Sequence, residues 1–298
     1  MDYLSIFQKL NLPYRENEPM SRHTTFKIGG PCDFMVEPFS ENEVKELISL
    51  LKENNLKYFV MGNGSNLLVS DLGIEGVVIK IGSNMSNITV ENNIVKAEAG
   101  ARLSALCSQC LEHSLSGLQF GWGIPGTVGG AVYMNAGAYG GEIKQVIESC
   151  TYLTSDGEIV TATTDELELG YRDSIFKRNG GIILSATFKL NLGNKNEIRL
   201  EMDGLIERRK LKQPLEFPSA GSTFKRPEGN FAGTLIEKAG LKGLAVGGAE
   251  VSTKHAGFII NKDNASCSDV RRLIEKVKEE VFLQNSIKLE TEVIFIGR

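Results

Sequence analysis

A glycine-rich segment between residues 117 and 141 constrains the fold of this chain more than any other feature. Nine of its 25 residues are glycine, and such a segment is costly to order because glycine loses the most backbone freedom on folding. The apolar residues Ile124, Val128, Val132 and Tyr133 are interleaved with the glycines, and such side chains favour burial. The pattern indicates ordered backbone against which a large ligand can lie, and it disfavours the alternative of a flexible loop.

A second loop of small residues, Gly62 to Leu67, directly follows the apolar run Tyr58–Met61, which predicts a buried strand. Adjacent small residues let consecutive backbone N–H groups face one concavity, and this arrangement suits a pyrophosphate. A dinucleotide-binding fingerprint would need glycine in place of Leu67, and a P-loop would need Gly-Lys-Ser/Thr. Taken alone, the loop is read equally well as a glycine turn between two strands.

Charge and composition exclude several classes of protein. With 33 Lys and Arg against 37 Asp and Glu, the net charge is −4. The overall charge of the protein therefore does not attract nucleic acid or an anionic membrane. The five cysteines and three histidines have neither disulfide-framework nor metal-site spacing, and Cys107 and Cys110 are expected to be small core residues. We expect a reduced, cytoplasmic protein without a metal.

The chain length suggests two domains, since 298 residues compare with about 150 per domain. A shift in composition near residue 193 predicts domains of 1–192 and 193–298. A capping box at Ser40 precedes an amphipathic helix that ends near Asn54. The apolar spacing from Val270 to Val281 predicts a long C-terminal helix, and Ile287 to Ile296 predicts a final strand.

Three polar segments are candidates for chemistry. The segment Tyr171 to Lys177 is, on chemistry alone, best read as a surface ion-pair cluster. The turn from Pro218 to Lys225 places hydroxyl groups beside several cations, which favours an anionic ligand over an ordinary Ser/Thr turn. Glu290 and Glu292 share one face of the final apolar strand, as either edge charges or buried functional acids.

In combination these segments resemble the UDP-N-acetylenolpyruvoylglucosamine reductase family, flavoenzymes of peptidoglycan precursor synthesis. The resemblance runs from Thr24–Gly30 to Glu292–Gly297, and the motifs follow the family's order and spacing. The short connection after Lys177 and the Pro218–Ser222 version of the serine loop look like the compact type II branch.

The resemblance implies an α+β fold with an FAD-binding domain of the vanillyl-alcohol-oxidase type. Residues 1–192 would form two α+β subdomains, split near residue 96, that hold FAD non-covalently. Residues 193–298 would form a smaller α+β domain that binds the UDP-sugar. The residues implied to contact FAD are Gly62, Asn63, Gly64, Ser65, Asn66 and Leu67 in the loop, and Gly123, Ile124, Pro125, Gly126, Thr127, Gly129 and Gly130 in the glycine-rich segment.

The family's reaction implies roles for three more residues. NADPH reduces FAD, and the reduced flavin gives hydride to C3 of UDP-N-acetylglucosamine enolpyruvate. Arg172 would stabilise the negative charge that develops on C2 and the carboxylate, and Ser222 would protonate C2. Glu292 would be a protonated partner or orient a donor, with a raised pKa if buried. The resemblance assigns substrate contacts to Tyr171, Lys210, Lys225 and Arg226.

Two alternative functions remain open from the sequence. A flavin oxidase of the same fold would share both glycine motifs but not Arg172, Ser222 and Glu292 together. A non-catalytic nucleotide-sugar binding protein would contain no flavin. The resemblance implies small-molecule partners, with no nucleic acid or membrane, and we expect a monomer. The sequence leaves open whether His255 contacts a ligand.

Overall fold

The predicted helices form where local sequence signals are strongest. In the computed structural model, which describes all 298 residues, Ser40 Oγ accepts a hydrogen bond from Glu43 N at the start of α2, and Ser266 and Asp269 form a capping box at α8. The helices are α1 Tyr3–Lys9, α2 Glu41–Glu53, α3 Leu103–Glu112, α4 Val128–Tyr133, α5 Phe176–Asn179, α6 Lys195–Lys212, α7 Ala232–Lys238 and α8 Cys267–Asn285.

The strands are short and numerous. They are β1 Tyr14–Pro19, β2 Pro31–Val36, β3 Tyr58–Met61, β4 Leu67–Val69, β5 Ile74–Lys80, β6 Ile88–Glu91, β7 Ile94–Glu98, β8 Leu115–Ser116, β9 Gly137–Ala138, β10 Gly141–Glu142, β11 Ile147–Leu153, β12 Ile159–Thr163, β13 Ile182–Lys189, β14 Asn191–Leu192, β15 Ala245–Val246, β16 Ala249–Val251, β17 Ile259–Asn261 and β18 Ile294–Ile296.

The chain folds into two compact units, each built from separate stretches of sequence. Unit 1 comprises Met1–Arg15, Phe34–Asn63 and Gly76–Arg208, and unit 2 comprises Glu16–Asp33, Gly64–Glu75 and Arg209–Arg298. This division differs from the sequence-based boundary at residue 193. It differs because Ile198 and Met202 of α6 are buried in the core of unit 1, and because two early segments join unit 2.

Unit 1 is organised around β-sheets. An antiparallel sheet has the order β12-β11-β13-β7-β6, and β3 pairs in parallel with β5. The apolar face of α2 is buried, as its spacing predicts. These sheets position the glycine-rich segment, because Ala99 and Ala101 after β7 accept its backbone N–H groups.

Unit 2 contains a small antiparallel sheet of order β15-β16-β17 and the helices α7 and α8. The face of α8 predicted from its apolar spacing is buried. The predicted final strand from Ile287 is wrong in its extent, since β18 begins at Ile294 and pairs in parallel with β4. Before that point the segment has only an isolated bridge from Thr291 to Phe224, so it lacks a neighbouring strand.

All five cysteines are buried as free thiols, and the prediction that Cys107 and Cys110 are core residues is confirmed. Burial raises the pKa of Cys32 to about 11 and the pKa of Cys110 to about 12. No group of three or more His, Cys, Asp or Glu side chains could hold a metal ion. None of the helices has the length and apolar character needed to cross a membrane.

Candidate active site

Gly62 and Asn63, the first two residues of the loop implied to contact the cofactor, meet the glycine-rich segment within unit 1. The side-chain amide of Asn63 donates a hydrogen bond to the carbonyl oxygen of Pro125, with an N–O distance of 2.9 Å. Gly62 lies against Thr127 so closely that an added Cβ would stand 3.3 Å from the Thr127 Cβ. The end of β3 and the start of the glycine-rich segment therefore form one surface.

The glycine-rich segment is fixed by backbone hydrogen bonds to the strand that precedes α3. Gly129 N donates to Ala99 O and Val128 N donates to Ala101 O, each over 2.8 Å. A Cβ at Gly129 would lie 3.0 Å from the Ala99 Cβ, so glycine permits this close approach. Val128 and Val132 are fully buried, which confirms the prediction of ordered backbone here.

The loop that joins β3 to β4 has the donor set that a pyrophosphate needs. The backbone N–H groups of Asn63, Gly64 and Ser65 have no protein acceptor, and Gly64 has a φ of +62°. Successive free N–H groups in such a turn form an anion-binding concavity. The residues present thus fit the diphosphate of FAD.

Arg172 occupies a turn that holds it in a sparsely populated backbone conformation. Gly170 and Asp173 exchange two backbone hydrogen bonds across this turn, of 3.1 and 3.2 Å, and Arg172 has a φ of +53°. Its Nη2 donates to Gly137 O over 3.1 Å, and its guanidinium lies 5.4 Å from the ring centre of Tyr171. Backbone strain at a non-glycine residue is typical of functional sites.

Two buried polar residues that the sequence analysis missed attach this turn to the glycine-rich segment. Asn135 is 1% exposed, and its amide donates to Gly170 O over 2.9 Å while its oxygen accepts from Lys144 N. Ser174 is fully buried and donates to Tyr133 O over 2.7 Å. An asparagine within a glycine run was the available signal, since asparagine tolerates left-handed backbone.

Part of the predicted surface ion-pair cluster is present beside Arg172. Arg178 pairs with Asp173 and with Glu168, each over 2.7 Å. These side chains are largely exposed, so the pairs contribute little to stability. Arg172 itself points to the glycine-rich segment through its bond to Gly137 O, so it is distinguished from this cluster.

In unit 2, the serine loop, residues 218–225, lies beside the terminal segment, residues 287–296. Thr223 N donates to Gly257 O, and Glu292 N donates to Thr223 O, each over 2.8 Å. Thr223 Oγ1 accepts from Ile259 N over 3.0 Å. Ser222 is exposed and Glu292 is half-buried, and the turn before Ser222 is made by Gly221 with a φ of +78°.

The three implied catalytic residues are divided between the units. Arg172 belongs to unit 1, whereas Ser222 and Glu292 belong to unit 2, where the backbone of Glu292 is bonded to the residue that follows Ser222. The implied raised pKa of Glu292 stays a prediction.

Three of the four implied substrate contacts, Lys210, Lys225 and Arg226, are positively charged. Lys225 Nζ lies 3.1 Å from Glu290 Oε2. The guanidinium of Arg226 lies 4.7 Å from the ring centre of Phe231, a residue that the sequence analysis missed. Lys210 is exposed in the last turn of α6, and Tyr171 is exposed beside Arg172.

The side chain of His255, in unit 2, accepts a hydrogen bond from the backbone. Its Nδ1 accepts a hydrogen bond from Gly257 N over 3.1 Å, and its ring packs edge-on against Phe258. Burial lowers the pKa of His255 below the ordinary value of 6.5. The imidazole is therefore neutral near pH 7.

Comparison with known proteins defines the class of this protein. Residues 32–163 match the family model of the FAD binding domain, and residues 213–296 match that of the UDP-N-acetylenolpyruvoylglucosamine reductase C-terminal domain. The chain is thus an FAD-dependent oxidoreductase. These matches confirm the implied α+β fold class, with an FAD-binding domain and a smaller C-terminal domain.

The relatives identify the family. A UDP-N-acetylenolpyruvoylglucosamine reductase from Clostridium novyi is 52% identical over 95% of this chain and 92% of its own length. One from Agathobacter rectalis is 53% identical over 95% and 93%. The crystal structure of the Thermus caldophilus reductase has a TM-score of 0.82 at 35% identity, covering 95% of this chain and 98% of that one. The chain belongs to the UDP-N-acetylenolpyruvoylglucosamine reductase family.

Proposed function

We propose that this chain reduces UDP-N-acetylglucosamine enolpyruvate to UDP-N-acetylmuramate with NADPH, through bound FAD, in peptidoglycan precursor synthesis. The observation that carries the proposal is the match to reductases of this name over 95% of the chain at 52% identity. Arg172, Ser222 and Glu292 are the residues to which we assign the catalytic roles of this reaction, on the resemblance of the sequence to the family's motifs.

The cofactor site is assigned to the loop after β3 and to the glycine-rich segment. When bound, FAD supplies hydride chemistry, accepting a hydride from NADPH and passing it to the substrate. The N–H groups of Asn63, Gly64 and Ser65 have no protein acceptor, so they can donate to the diphosphate. The close packing of Gly62 on Thr127 supports a backbone surface on which the cofactor lies.

Arg172 is assigned to the stabilisation of charge on the substrate. Hydride addition at C3 of the enolpyruvyl group leaves negative charge on C2 and on its carboxylate. A planar guanidinium can hold that carboxylate by two hydrogen bonds. The left-handed turn and the bond from Arg172 to Gly137 O fix its approach, which is the preorganisation that charge stabilisation needs.

Ser222 and Glu292 are assigned to proton transfer. Ser222 Oγ gives a proton to C2 as the lactyl ether forms, and its exposure leaves it accessible to a substrate. Glu292 lies beside this loop through its bond to Thr223 O, and it serves as a proton-holding partner for the donor. A positioned acid typically contributes about 10²–10⁴-fold to the rate.

The UDP moiety is assigned to the positive side chains of the second domain, residues 193–298. Lys210, Lys225 and Arg226 supply charge for the diphosphate, and Tyr171 offers an exposed ring beside Arg172. Residues 1–192 are assigned to FAD. We place the protein in the cytoplasm as a monomer, where both its nucleotide substrates are available.

An absorbance experiment tests this function. The purified protein is expected to carry a flavin band that bleaches when NADPH is added anaerobically, and the band should return when UDP-N-acetylglucosamine enolpyruvate follows. Folded protein that takes up no FAD contradicts the proposal. Reoxidation by oxygen with an alcohol or sugar as reductant, and none by the enolpyruvyl substrate, indicates a flavin oxidase instead.

A further inference from the structure

The loop after β3 carries two asparagines whose side chains have different partners. The resemblance implies that Asn63 and Asn66 both contact FAD. Within unit 1, the Asn63 amide donates to Pro125 O over 2.9 Å. Within unit 2, the Asn66 amide donates to the carbonyl oxygen of Glu292 over 3.0 Å.

Asn66 binds the terminal segment at two successive points. Besides its side-chain bond to Glu292 O, its own carbonyl oxygen accepts a hydrogen bond from Ile294 N over 2.9 Å. The buried residue Val293 lies between these two points. Asn66 therefore fixes the backbone on the carboxyl side of Glu292 and starts the parallel pairing of β4 with β18, where Leu67 is opposite Ile294.

The amino side of Glu292 is fixed by the serine loop. Glu292 N donates to Thr223 O over 2.8 Å, so both backbone polar groups of Glu292 have partners. One partner is next to Ser222, and the other is the amide of Asn66. Because the backbone positions the Cβ, these two bonds fix the point from which the Glu292 side chain extends.

A separate bond attaches the same loop to the serine loop. Thr25 Oγ1 donates to Ser219 O over 2.8 Å and lies 3.4 Å from Ser65 O. Ser65 precedes Asn66, and Ser219 precedes the turn at Gly221. Within unit 2, Asn66 is thus part of a hydrogen-bonded frame around Ser222 and Glu292.

We propose that Asn66 is a positioning residue for the proton-transfer half of the reaction, acting through the backbone of Glu292 and not as a cofactor ligand. This inference rests on the proposed function. Proton delivery to carbon depends on placement, and a misplacement of about 1 Å can cost about 10²-fold in rate. Losing the Asn66 amide donor leaves Glu292 O without this partner and frees the segment to shift.

The variant Asn66→Asp tests the proposal because it keeps the size of the side chain and removes its donor. FAD affinity is measured by titrating the apoprotein, and stopped-flow absorbance gives each half-reaction separately. We expect FAD affinity and reduction by NADPH within about threefold of the parent. Reoxidation by the enolpyruvyl substrate should slow about 10- to 100-fold, and its pH profile should shift, since Glu292 is displaced.

Asn63→Asp is the matched control in the same loop. It removes the donor to Pro125 O, so we expect about tenfold weaker FAD binding, the equivalent of one lost hydrogen bond. If Asn66→Asp should fail to fold, Asn66→Ser is measured in the same way, because its shorter side chain also loses the bond to Glu292 O.

Three results overturn the proposal. These are FAD binding weakened by Asn66→Asp as much as by Asn63→Asp, equal losses in both half-reactions, and reoxidation at the parental rate with an unchanged pH profile. The parent protein is run first. If the enolpyruvyl substrate does not reoxidise the parent, the proposed function fails, whereas a variant that matches an active parent refutes only the role of Asn66.

Discussion

Replacing Arg172 with glycine is expected to give a more stable protein than replacing it with alanine. Arg172 has a φ of +53°, and a non-glycine residue in the left-handed region costs about 1–2 kcal/mol. Glycine avoids this cost but loses about 0.4–1 kcal/mol through the greater freedom of the unfolded chain. With the middle value of each range, the net advantage of Arg172→Gly over Arg172→Ala is about 0.8 kcal/mol.

The comparison of the two variants isolates the energetic effect of the backbone conformation at residue 172, because both variants lose the same side-chain contacts. Each loses the hydrogen bond to Gly137 O and the stacking on Tyr171. Urea unfolding followed by circular dichroism, with both variants saturated with FAD, measures the difference in the free energy of unfolding. In thermal unfolding the difference corresponds to about 1–3 °C.

An Arg172→Ala variant that is as stable as Arg172→Gly, or more stable, would refute the reasoning, since residue 172 would not then hold left-handed backbone. Both variants should turn over far more slowly than the parent, because neither has a guanidinium for the substrate carboxylate.

Two further predictions follow from burial. The five cysteines are buried, and burial raises the pKa of Cys150 and of Cys267 to about 12. A thiol reagent at about pH 8 should therefore modify less than one cysteine per native chain, and it should modify all five after denaturation. Prompt modification of the native protein would contradict this. His255 has a lowered pKa because it is buried, so below about pH 6.5 the unfolded chain binds a proton that the folded chain does not. The free energy of unfolding should fall as the pH drops through this range, and it should fall less for His255→Gln; equal slopes in denaturation series at several pH values would count against the assignment.

Local signals predicted the elements that local chemistry determines. Ser40 caps α2 as predicted, and the buried faces of α2 and α8 have the predicted spacing. A cap and a 3.6-residue period are contained within one stretch of chain, so the sequence reveals them. The glycine-rich segment was likewise predicted to be ordered, because its apolar residues require burial.

Contacts between distant residues could not be predicted in this way. The bond from Asn66 to Glu292 O joins residues that are 226 positions apart, and the pairing of β18 with β4 also joins distant parts of unit 2's sequence. An asparagine within a glycine run indicates left-handed backbone at Asn135, but it does not reveal the bond from its side chain to Gly170 O, 35 positions away. The catalytic roles came from the family resemblance, since the chemistry of residues 171–177 alone indicated an ion-pair cluster, and one is indeed present at Arg178.

The central mechanistic claim, that Ser222 is the proton donor of the reductase reaction, is tested most directly by stopped-flow absorbance of Ser222→Ala in each half-reaction. If Ser222 Oγ protonates C2, the variant should still be reduced by NADPH at close to the parental rate. Reoxidation by UDP-N-acetylglucosamine enolpyruvate should be slower by about 10²–10⁴-fold, and Ser222→Cys should recover part of it. Reoxidation of Ser222→Ala at the parental rate would contradict the account, because Ser222 would then be only a residue of the turn.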